Sequence, residues 1–323
     1  MTSPPRPADG LRFVVVGAYV LDCLVHTSRL PAWGEDLRAE AIWTAPGGKA
    51  LNQAITLARL GVQTTALGVV GADAAGEAVH AALVGEGVDV SALVRTPDAP
   101  TPVCVVLAGS DGEKAVVWRV SDALAVTADH LHTAVSETGR ADAVLVTFEF
   151  PEQVADVVTA ARTHGMAVVV NPAPLPADLD VIAGIPWGQI DLLVPNEAEA
   201  RALLTGHPAA HGPADHLADA LADTFGIPAV CVTLAERGCI FRAGSTSTAY
   251  RAPAAEVVDT TAASDAFTAV LAAHVLAGTD QETAVYQAQA AAALTISRPG
   301  AFQALPTADE LREQARTLPN SPL

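Results

Sequence analysis

The sequence predicts a three-layer α/β fold, in which helices cover both faces of a mostly parallel sheet. Short, uncharged, β-rich runs alternate with Ala-rich helical segments along most of the chain, as expected for strands that are buried on both faces. Several helical segments end near a glycine, which is favoured just after a helix C-terminus. With 50% hydrophobic and 17% charged residues, the 323-residue chain can bury a large core, as two domains or as one α/β domain with an appendage.

The expected elements follow each other along the chain with few breaks. The apolar runs predict strands at residues 11–17, 63–70, 143–147, 167–170, 192–195 and 229–233. The Ala-rich segments predict helices at residues 49–60, 74–86, 152–163, 197–204, 265–276 and 282–296.

Two stretches, residues 22–45 and 101–120, interrupt this order. Both alternate polar and apolar residues and contain turn residues such as Pro31, Gly34 and Asp111-Gly112, a pattern typical of β-hairpins. We expect lid strands inserted from about 20–45 and 101–120. Such a small β lid would lie over the carboxyl edge of the sheet, where open α/β sheets bind their ligands.

The charge and hydropathy of the chain exclude several classes of partner. Lys and Arg number 18 against 36 Asp and Glu, giving a formal net charge of −18. Binding to nucleic acid or to an anionic membrane needs clustered positive charge, so neither is expected. Backbone amides and one or two cations can still hold a small anionic ligand. No apolar run reaches the roughly 18 uncharged residues of a membrane span, so we expect a soluble, cytoplasmic protein.

The cysteines and histidines do not form a recognisable metal-site pattern. The four cysteines are Cys23, Cys104, Cys231 and Cys239. None forms a C-x-x-C pair, so we expect reduced thiols in the core. The histidines at 207, 211 and 216 lie in a Pro- and Gly-rich stretch without a paired carboxylate motif. The Walker phosphate loop, the dinucleotide fingerprint and the serine-hydrolase elbow do not occur in the sequence.

Two segments near opposite ends of the chain carry the strongest functional signal. Gly47-Gly48-Lys49 lets a ligand approach the backbone, and Lys49 and Asn52 then lie on the first turns of a helix. In residues 259–265, small residues precede a helix whose first amides form an anion cradle beside Asp265. Taken alone, the first segment is also typical of a tight turn and the second of a simple helix N-cap.

Together with other segments in the same order, these residues resemble the ribokinase-like (PfkB) sugar kinase family. The resemblance spans residues 14 to about 306. It rests on the two segments above and on residues 17–22, Asn171-Pro172-Ala173-Pro174, Pro195-Asn196-Glu197-Ala198-Glu199 and residues 233–238. It implies one kinase domain at residues 11–306, with a flexible tail at 1–10 and a C-terminal segment at 307–323.

The resemblance implies ATP-dependent phosphoryl transfer to a sugar hydroxyl, and it assigns roles to particular residues. Asp265 would be the catalytic base, and the amides of Ala262, Ala263 and Ser264 would stabilise the transferring phosphoryl group. Substrate-binding residues would be Asp22, Gly48, Lys49, Asn52, Glu149 and Asp265. ATP would be bound by Asn196, Glu199, Thr233, Ala235 and Gly238, with Asn196 and Glu199 organising Mg²⁺. A monovalent cation such as K⁺ would be held by Asp259, Thr261, Thr295, Arg298 and Gly300.

The sequence also departs from the family pattern. Ser264 and Ala262 replace two glycines of the second signature, and either would strain the anion hole if its position needs a positive φ. Leu51 either reshapes the sugar pocket or packs beneath it, and Val20 stands where ribokinase-type members have Asn. These changes leave three readings open: a kinase of a small sugar, a nucleoside kinase, or a catalytically weak ligand-binding protein. A homodimer formed through the lid is also expected, because exposed strand edges need a partner.

Overall fold

The structure is a computed structural model that describes residues 10–109 and 114–315. The expected tail at 1–10 lies outside this range except for Gly10. The expected turn at Asp111-Gly112 and residues 316–323 of the C-terminal segment also lie outside the described residues.

Strands and helices alternate along the described chain. The strands are β1 (Arg12–Val16), β2 (Val20–Thr27), β3 (Ala41–Gly47), β4 (Gln63–Gly71), β5 (Leu93–Thr96), β6 (Val103–Gly109), β7 (Lys114–Trp118), β8 (Ala143–Thr147), β9 (Ala167–Asn171), β10 (Leu192–Leu193), β11 (Ala229–Thr233), β12 (Cys239–Ala243) and β13 (Thr246–Tyr250). The helices are α1 (Lys49–Arg59), α2 (Ala74–Gly85), α3 (Ala128–Thr138), α4 (Pro151–Thr163), α5 (Glu197–Leu203), α6 (Leu217–Phe225), α7 (Ala263–Leu276), α8 (Gln281–Ile296) and α9 (Ala308–Ala315).

The main sheet confirms the predicted parallel architecture. Within the described residues it has nine strands in the order β13-β12-β11-β10-β9-β8-β1-β4-β5. Strands from β11 to β5 pair in parallel, whereas β12 and β13 add an antiparallel edge. The carboxyl ends of the parallel strands therefore meet along one edge.

Successive residues of β1 show why the fold has three layers. Phe13 and Val15 belong to a core shared with α1, α2, α7, α8 and α9. Val14 and Val16 belong to a second core shared with α3, α4, α5 and α6. Because neighbouring side chains of a strand point to opposite faces, a strand apolar at every position needs helices on both sides. The prediction of helices on both faces is confirmed.

A second, smaller sheet forms the lid. In the described residues its strand order is β3-β2-β6-β7, and only Gly17, Ala18 and Tyr19 separate β1 from β2. The second connection is fixed by Asp73, whose carboxylate accepts hydrogen bonds from the backbone amide and the hydroxyl of Thr101, at 2.8 and 2.7 Å. Thr101 leads into β6, so both connections of the lid begin at the carboxyl edge.

Several elements escaped sequence-based prediction. Helices α3 and α6, the short strand β5, the β12–β13 hairpin and α9 were not expected. The expected strand at residues 192–195 is shorter, ending at Leu193. The expectation that all four thiols lie in the core was also wrong, because Cys23 and Cys104 are half-buried in the lid. An alternating two-sided lid strand places such residues between core and surface.

No helix in the described part of the chain is long and apolar enough to cross a membrane.

Candidate active site

The site begins where the order of the sheet strands changes direction. From β1 the chain adds β4 and β5 on one side and β8 to β11 on the other, and such switch points bind ligands in open α/β sheets. Glu149 lies there: its carboxylate accepts hydrogen bonds from the Thr147 hydroxyl and, at 3.4 Å, from the Ala18 amide. Burial raises the pKa of Glu149. A Cβ at Gly17 would lie 2.0 Å from Thr147 Oγ1, so only glycine leaves room there.

Asp265 is buried in the first turn of α7, with 5% of its surface exposed. Asn52 Nδ2 donates to its Oδ2 at 2.8 Å, and Gln53 Nε2 donates to its Oδ1 at 3.3 Å. Helix α1 supplies both amides. Burial raises the pKa of Asp265, while Lys49 and the two amide donors oppose that rise.

The backbone before α7 turns in the way that glycine normally permits. Ala262 is the N-cap residue of α7, with φ 63° and ψ 0°, in the left-handed region. Such a conformation costs a non-glycine residue about 1–2 kcal/mol. Ser264 lies within the first turn of α7 and is exposed. Of the two signature glycines that this chain lacks, only the one replaced by Ala262 occupies a position that needs a positive φ.

Lys49 is the cation shared by the carboxylates of the site. It interacts electrostatically with Asp22, Glu149, Glu199 and Asp265. Burial lowers the pKa of Lys49, but the surrounding carboxylates outweigh burial and raise it overall. The pocket is therefore strongly anionic and depends on one ammonium group.

Asp22 joins the carboxylates around Lys49 from the lid strand β2. Burial and the nearby Asp265 carboxylate raise the pKa of Asp22 to about 6, although Lys49 opposes them. A Cβ at Gly47 would lie 1.9 Å from Asp22 Oδ2, so this glycine makes room for the carboxylate. Cys104 pairs with Asp22 across β2 and β6, and its thiol is hydrogen-bonded to that carboxylate.

The residues expected to bind ATP form a separate, more exposed group. Asn196 and Glu199 cap α5 reciprocally: Glu199 Oε2 accepts from the Asn196 amide, and Asn196 Oδ1 accepts from the Glu199 amide, both at 2.8 Å. Burial raises the pKa of Glu199. Thr233 donates its backbone N–H to Pro195 O at 2.9 Å, which joins the ends of β10 and β11.

A tight turn follows Thr233 in this second group. Ala235 has φ 52° and Gly238 has φ 102°. A Cβ at Gly238 would lie 1.9 Å from Tyr250 O, so the turn packs closely against the end of β13. Backbone shape, rather than side-chain charge, defines this part of the site.

Asp259 links two loops next to the start of α7. Its Oδ1 accepts from the Thr261 amide at 2.9 Å and from the Thr261 hydroxyl at 2.7 Å, and its Oδ2 accepts from the Gly300 amide at 3.3 Å. The Arg298 amide donates to Thr295 O at 3.3 Å in the same region. The five residues of the expected monovalent-cation site thus lie on connected segments. Among the described residues, no three or more His, Cys, Asp or Glu side chains are grouped to hold a metal ion.

The structure adds contacts that sequence analysis missed. Gln53 follows Asn52 in the first signature, and Asn171 ends β9, but nothing in the sequence showed that both would reach the Asp265 carboxylate network. Cys104 was missed because its contact depends on the pairing of two lid strands. In the described part of the chain, Asn52 Oδ1 and Gln53 Oε1 are buried acceptors without a hydrogen-bond donor.

Comparison with known proteins identifies the class to which this fold and site belong. Ribokinase of Bacillus subtilis is 31% identical over 303 residues, covering 93% of this chain and 97% of that protein. Deoxyribokinase of Salmonella typhi is 25% identical over 303 residues, covering 93% of this chain and 97% of that protein. The structure of Arabidopsis thaliana ribokinase complexed with ribose and ATP superposes with a TM-score of 0.78 at 29% identity, covering 95% of this chain and 99% of that one. The fold is that of the ribokinases.

A model of the pfkB family carbohydrate kinases matches residues 11–308. The chain belongs to this family. The predicted family, fold class and enzyme class, an ATP-dependent carbohydrate kinase, are confirmed.

Proposed function

We propose that this protein transfers the terminal phosphoryl group of ATP to a hydroxyl of a pentose or deoxypentose, with Asp265 as catalytic base. The orphaned Asn52 Oδ1 carries this proposal. A buried acceptor without a donor costs stability, and a sugar hydroxyl beside Asp265 would supply the donor. The nitrogen of the same side-chain amide already donates to the Asp265 carboxylate, so Asn52 would contact both the base and the sugar hydroxyl.

The acceptor sugar is bound by the side chains around Lys49. Asp22, Glu149 and Asn52 offer acceptors for sugar hydroxyls, and Lys49 offers a donor. Gly48 packs closely against the backbone of Ala18, since a Cβ there would lie 2.8 Å from Ala18 O, so this turn beside the pocket needs glycine. When the base accepts the hydroxyl proton, the oxygen attacks phosphorus and the bond to ADP breaks.

The first amides of α7 then stabilise the transferring phosphoryl group. The amides of Ala262, Ala263 and Ser264 lie at a helix N-terminus, where intrahelical acceptors are missing and the helix dipole favours negative charge. Each preorganised donor of this kind contributes roughly 3–4 kcal/mol to the barrier reduction. Ser264 is exposed and its backbone is helical, so its side chain does not strain this site.

ATP and its magnesium ion would be bound by the more exposed group. Thr233, Ala235 and Gly238 would shape the nucleotide site, while Asn196 and Glu199 would hold Mg²⁺. The donor set fits the ion, because a half-buried carboxylate and an amide carbonyl are hard oxygen ligands. Bound Mg²⁺ neutralises charge on the phosphates.

A monovalent cation such as K⁺ would be held near Asp259. The expected ligands are this carboxylate and backbone carbonyls from Thr261, Thr295, Arg298 and Gly300. Hydrogen bonds from Thr261 and Gly300 already order the carboxylate. The donor set of oxygen atoms fits an alkali cation.

The choice between sugars depends more on Val20 than on Leu51. Leu51 is fully buried in the core, so it packs beneath the pocket and gives no reason to exclude ribose. Val20 is 7% exposed, and its Cγ2 lies 3.3 Å from the position a Cβ would take at Gly48. An apolar group at this place favours a substrate with one hydroxyl fewer, in keeping with the deoxyribokinase relative.

A substrate panel tests the proposal. ADP release is measured with ATP and Mg²⁺ against ribose, deoxyribose, hexoses and nucleosides, with the Asp265→Asn variant as the control. We expect turnover with pentoses that falls by about 10²–10⁴-fold in the variant. Turnover only with nucleosides would identify a nucleoside kinase. Failure with every acceptor would favour a ligand-binding protein, and full turnover by Asp265→Asn would refute the role of this carboxylate.

We further propose a cytoplasmic homodimer joined through the lid. Trp43 on β3 and Trp118 on β7 are 37% and 45% exposed, on the two outer strands of the lid sheet. A partner lid would cover such apolar side chains and pair the open strand edges. Light scattering of the purified chain, compared with a Trp43→Glu/Trp118→Glu variant, tests this assembly. The free thiols are in keeping with a reducing compartment.

A further inference from the structure

A chain of three hydrogen bonds connects the Asp265 carboxylate to the main chain of the central sheet. Asn171 Nδ2 donates to Val194 O at 2.9 Å, and Gln53 Nε2 donates to Asn171 Oδ1 at 3.1 Å. The same Gln53 nitrogen donates to Asp265 Oδ1 at 3.3 Å. Gln53 is fully buried and Asn171 is 5% exposed, so water contributes little to this chain.

The direction of these bonds is set at the main chain. A backbone carbonyl can only accept, so Asn171 must turn its NH₂ group toward Val194 and its oxygen toward Gln53. That oxygen then selects the NH₂ group of Gln53. An NH₂ group has two hydrogens, one for Asn171 and one for Asp265. The opposite orientation would place Gln53 Oε1 against two oxygen atoms.

We propose that Gln53 and Asn171 are positioning residues that aim the Asp265 carboxylate and keep it ionised. The inference rests on the proposed role of Asp265 as base. Asn52 holds Oδ2 at the same time, so each carboxylate oxygen receives one amide donor. Two fixed donors leave the carboxylate little freedom to rotate, and positioning of this kind governs phosphoryl transfer.

The orphaned Gln53 Oε1 supports a functional origin for this arrangement. A buried acceptor without a donor is costly. Turning the amide over would not relieve that cost, because Oε1 would then face the oxygens of Asn171 and Asp265, and both existing hydrogen bonds would be lost. A glutamine placed merely for packing would have no reason to keep this orientation.

The charged groups around Asp265 define what a change in Gln53 should do. Lys49 on α1 favours the ionised carboxylate, whereas Asp22 on β2 and Glu199 on α5 disfavour it. Removing the Gln53 donor shifts this balance toward the protonated form. The pH at which kcat falls on the acid side should therefore move upward.

The test compares Gln53→Met with Gln289→Met in the full chain. Gln289 is 5% exposed and donates to Tyr250 O, so the control loses a buried glutamine elsewhere. We expect Gln53→Met to lower kcat by about 10–100-fold, with less than a threefold change in sugar KM and an acid limb moved to higher pH. Gln289→Met should leave all three unchanged. Thermal unfolding of both variants verifies that each is folded.

Asn171→Ala provides the second measurement, because this residue does not touch Asp265. If the relay acts as a unit, the variant lowers kcat in the same manner, and the double variant is no worse than Gln53→Met alone. Additive losses would overturn the relay, and so would an unchanged kcat and pH profile in folded Gln53→Met. A loss confined to KM would also overturn it. If Asp265→Asn itself retains turnover, the proposed base fails, whatever the Gln53 variants do.

Discussion

The two halves of the candidate site are built in different ways. The acceptor half uses buried side chains, with Asp22, Glu149 and Asp265 gathered around Lys49. The nucleotide half uses backbone turns at residues 196–199 and 233–238, including the buried Gly238 at φ 102°. The first half should therefore respond to changes in charge and pH, and the second to any atom added to its backbone.

Loss of Lys49 should have the largest effect and should fall mainly on the acceptor half, because Asp22, Glu149 and Asp265 lie there and only Glu199 belongs to the nucleotide half. Lys49→Met leaves the clustered carboxylates without their shared cation, and unpairing one member of such a network costs about 3–5 kcal/mol. We expect kcat/KM for sugar to fall about 10³-fold, while ADP affinity changes little. Steady-state kinetics and ADP titration measure the two effects.

Arg95→Met is the control for Lys49→Met, because the partner of Arg95 is the exposed Glu77 and exposed pairs contribute little. Equal losses of sugar turnover and ADP binding in Lys49→Met would contradict the division of the site into two halves.

The reverse experiment adds one methyl group to the nucleotide half. In Gly238→Ala the new Cβ would lie 1.9 Å from Tyr250 O at a φ of 102°. Strain and overpacking together should lower the free energy of unfolding by about 3 kcal/mol and weaken ADP binding more than sugar binding. Urea unfolding and ligand titrations provide the measurements.

Gly244→Ala isolates the steric part of that effect. Gly244 also has a positive φ, 61°, but nothing lies within 4 Å of an added Cβ. It should lose only the conformational part, about 1–2 kcal/mol. If the two alanine variants are equally destabilised, the contact with Tyr250 is unimportant.

Asp22, in the acceptor half, should make the folded protein less stable as the pH rises. Its pKa in the folded chain is about 6, against a usual 3.8, so the folded state binds more protons than the unfolded state between these values. Stability is therefore lost as pH rises through this window, by up to about 3 kcal/mol. Asp22→Asn should raise the free energy of unfolding by up to this amount at pH 8, and by much less at pH 4, while weakening sugar binding. Urea titrations at both pH values test this, and a gain independent of pH would argue against it.

The smallest effect is expected at the boundary between the halves. Ala262→Gly relieves the left-handed strain before α7 but adds freedom to the unfolded chain, for a net gain of about 0.5–1 kcal/mol. Ala263→Gly, one residue further and helical, should instead lose about 0.5–1 kcal/mol. Thermal unfolding of the pair distinguishes these signs, and a loss in both would mean that Ala262 is unstrained.

The sequence by itself determined the layers of the fold and the main members of the site. Strands such as β8 and β11 were predicted at their observed bounds, because a strand that is apolar at every position is stable only when both of its faces are buried. The signatures around Lys49 and Asp265 were visible because backbone turns and helix starts are local features that depend on neighbouring residues.

Only the tertiary structure decided how these segments meet. Gln53 and Asn171 lie 118 positions apart, and their contact with each other depends on how α1 packs against the sheet. Cys104 reached Asp22 through strand register, which no local pattern specifies. Helices α3 and α6 also depended on packing, because much of a helix's stability comes from the face it buries. Hydrogen bonds and charge interactions between distant residues arise from three-dimensional proximity, and a linear pattern does not contain that proximity.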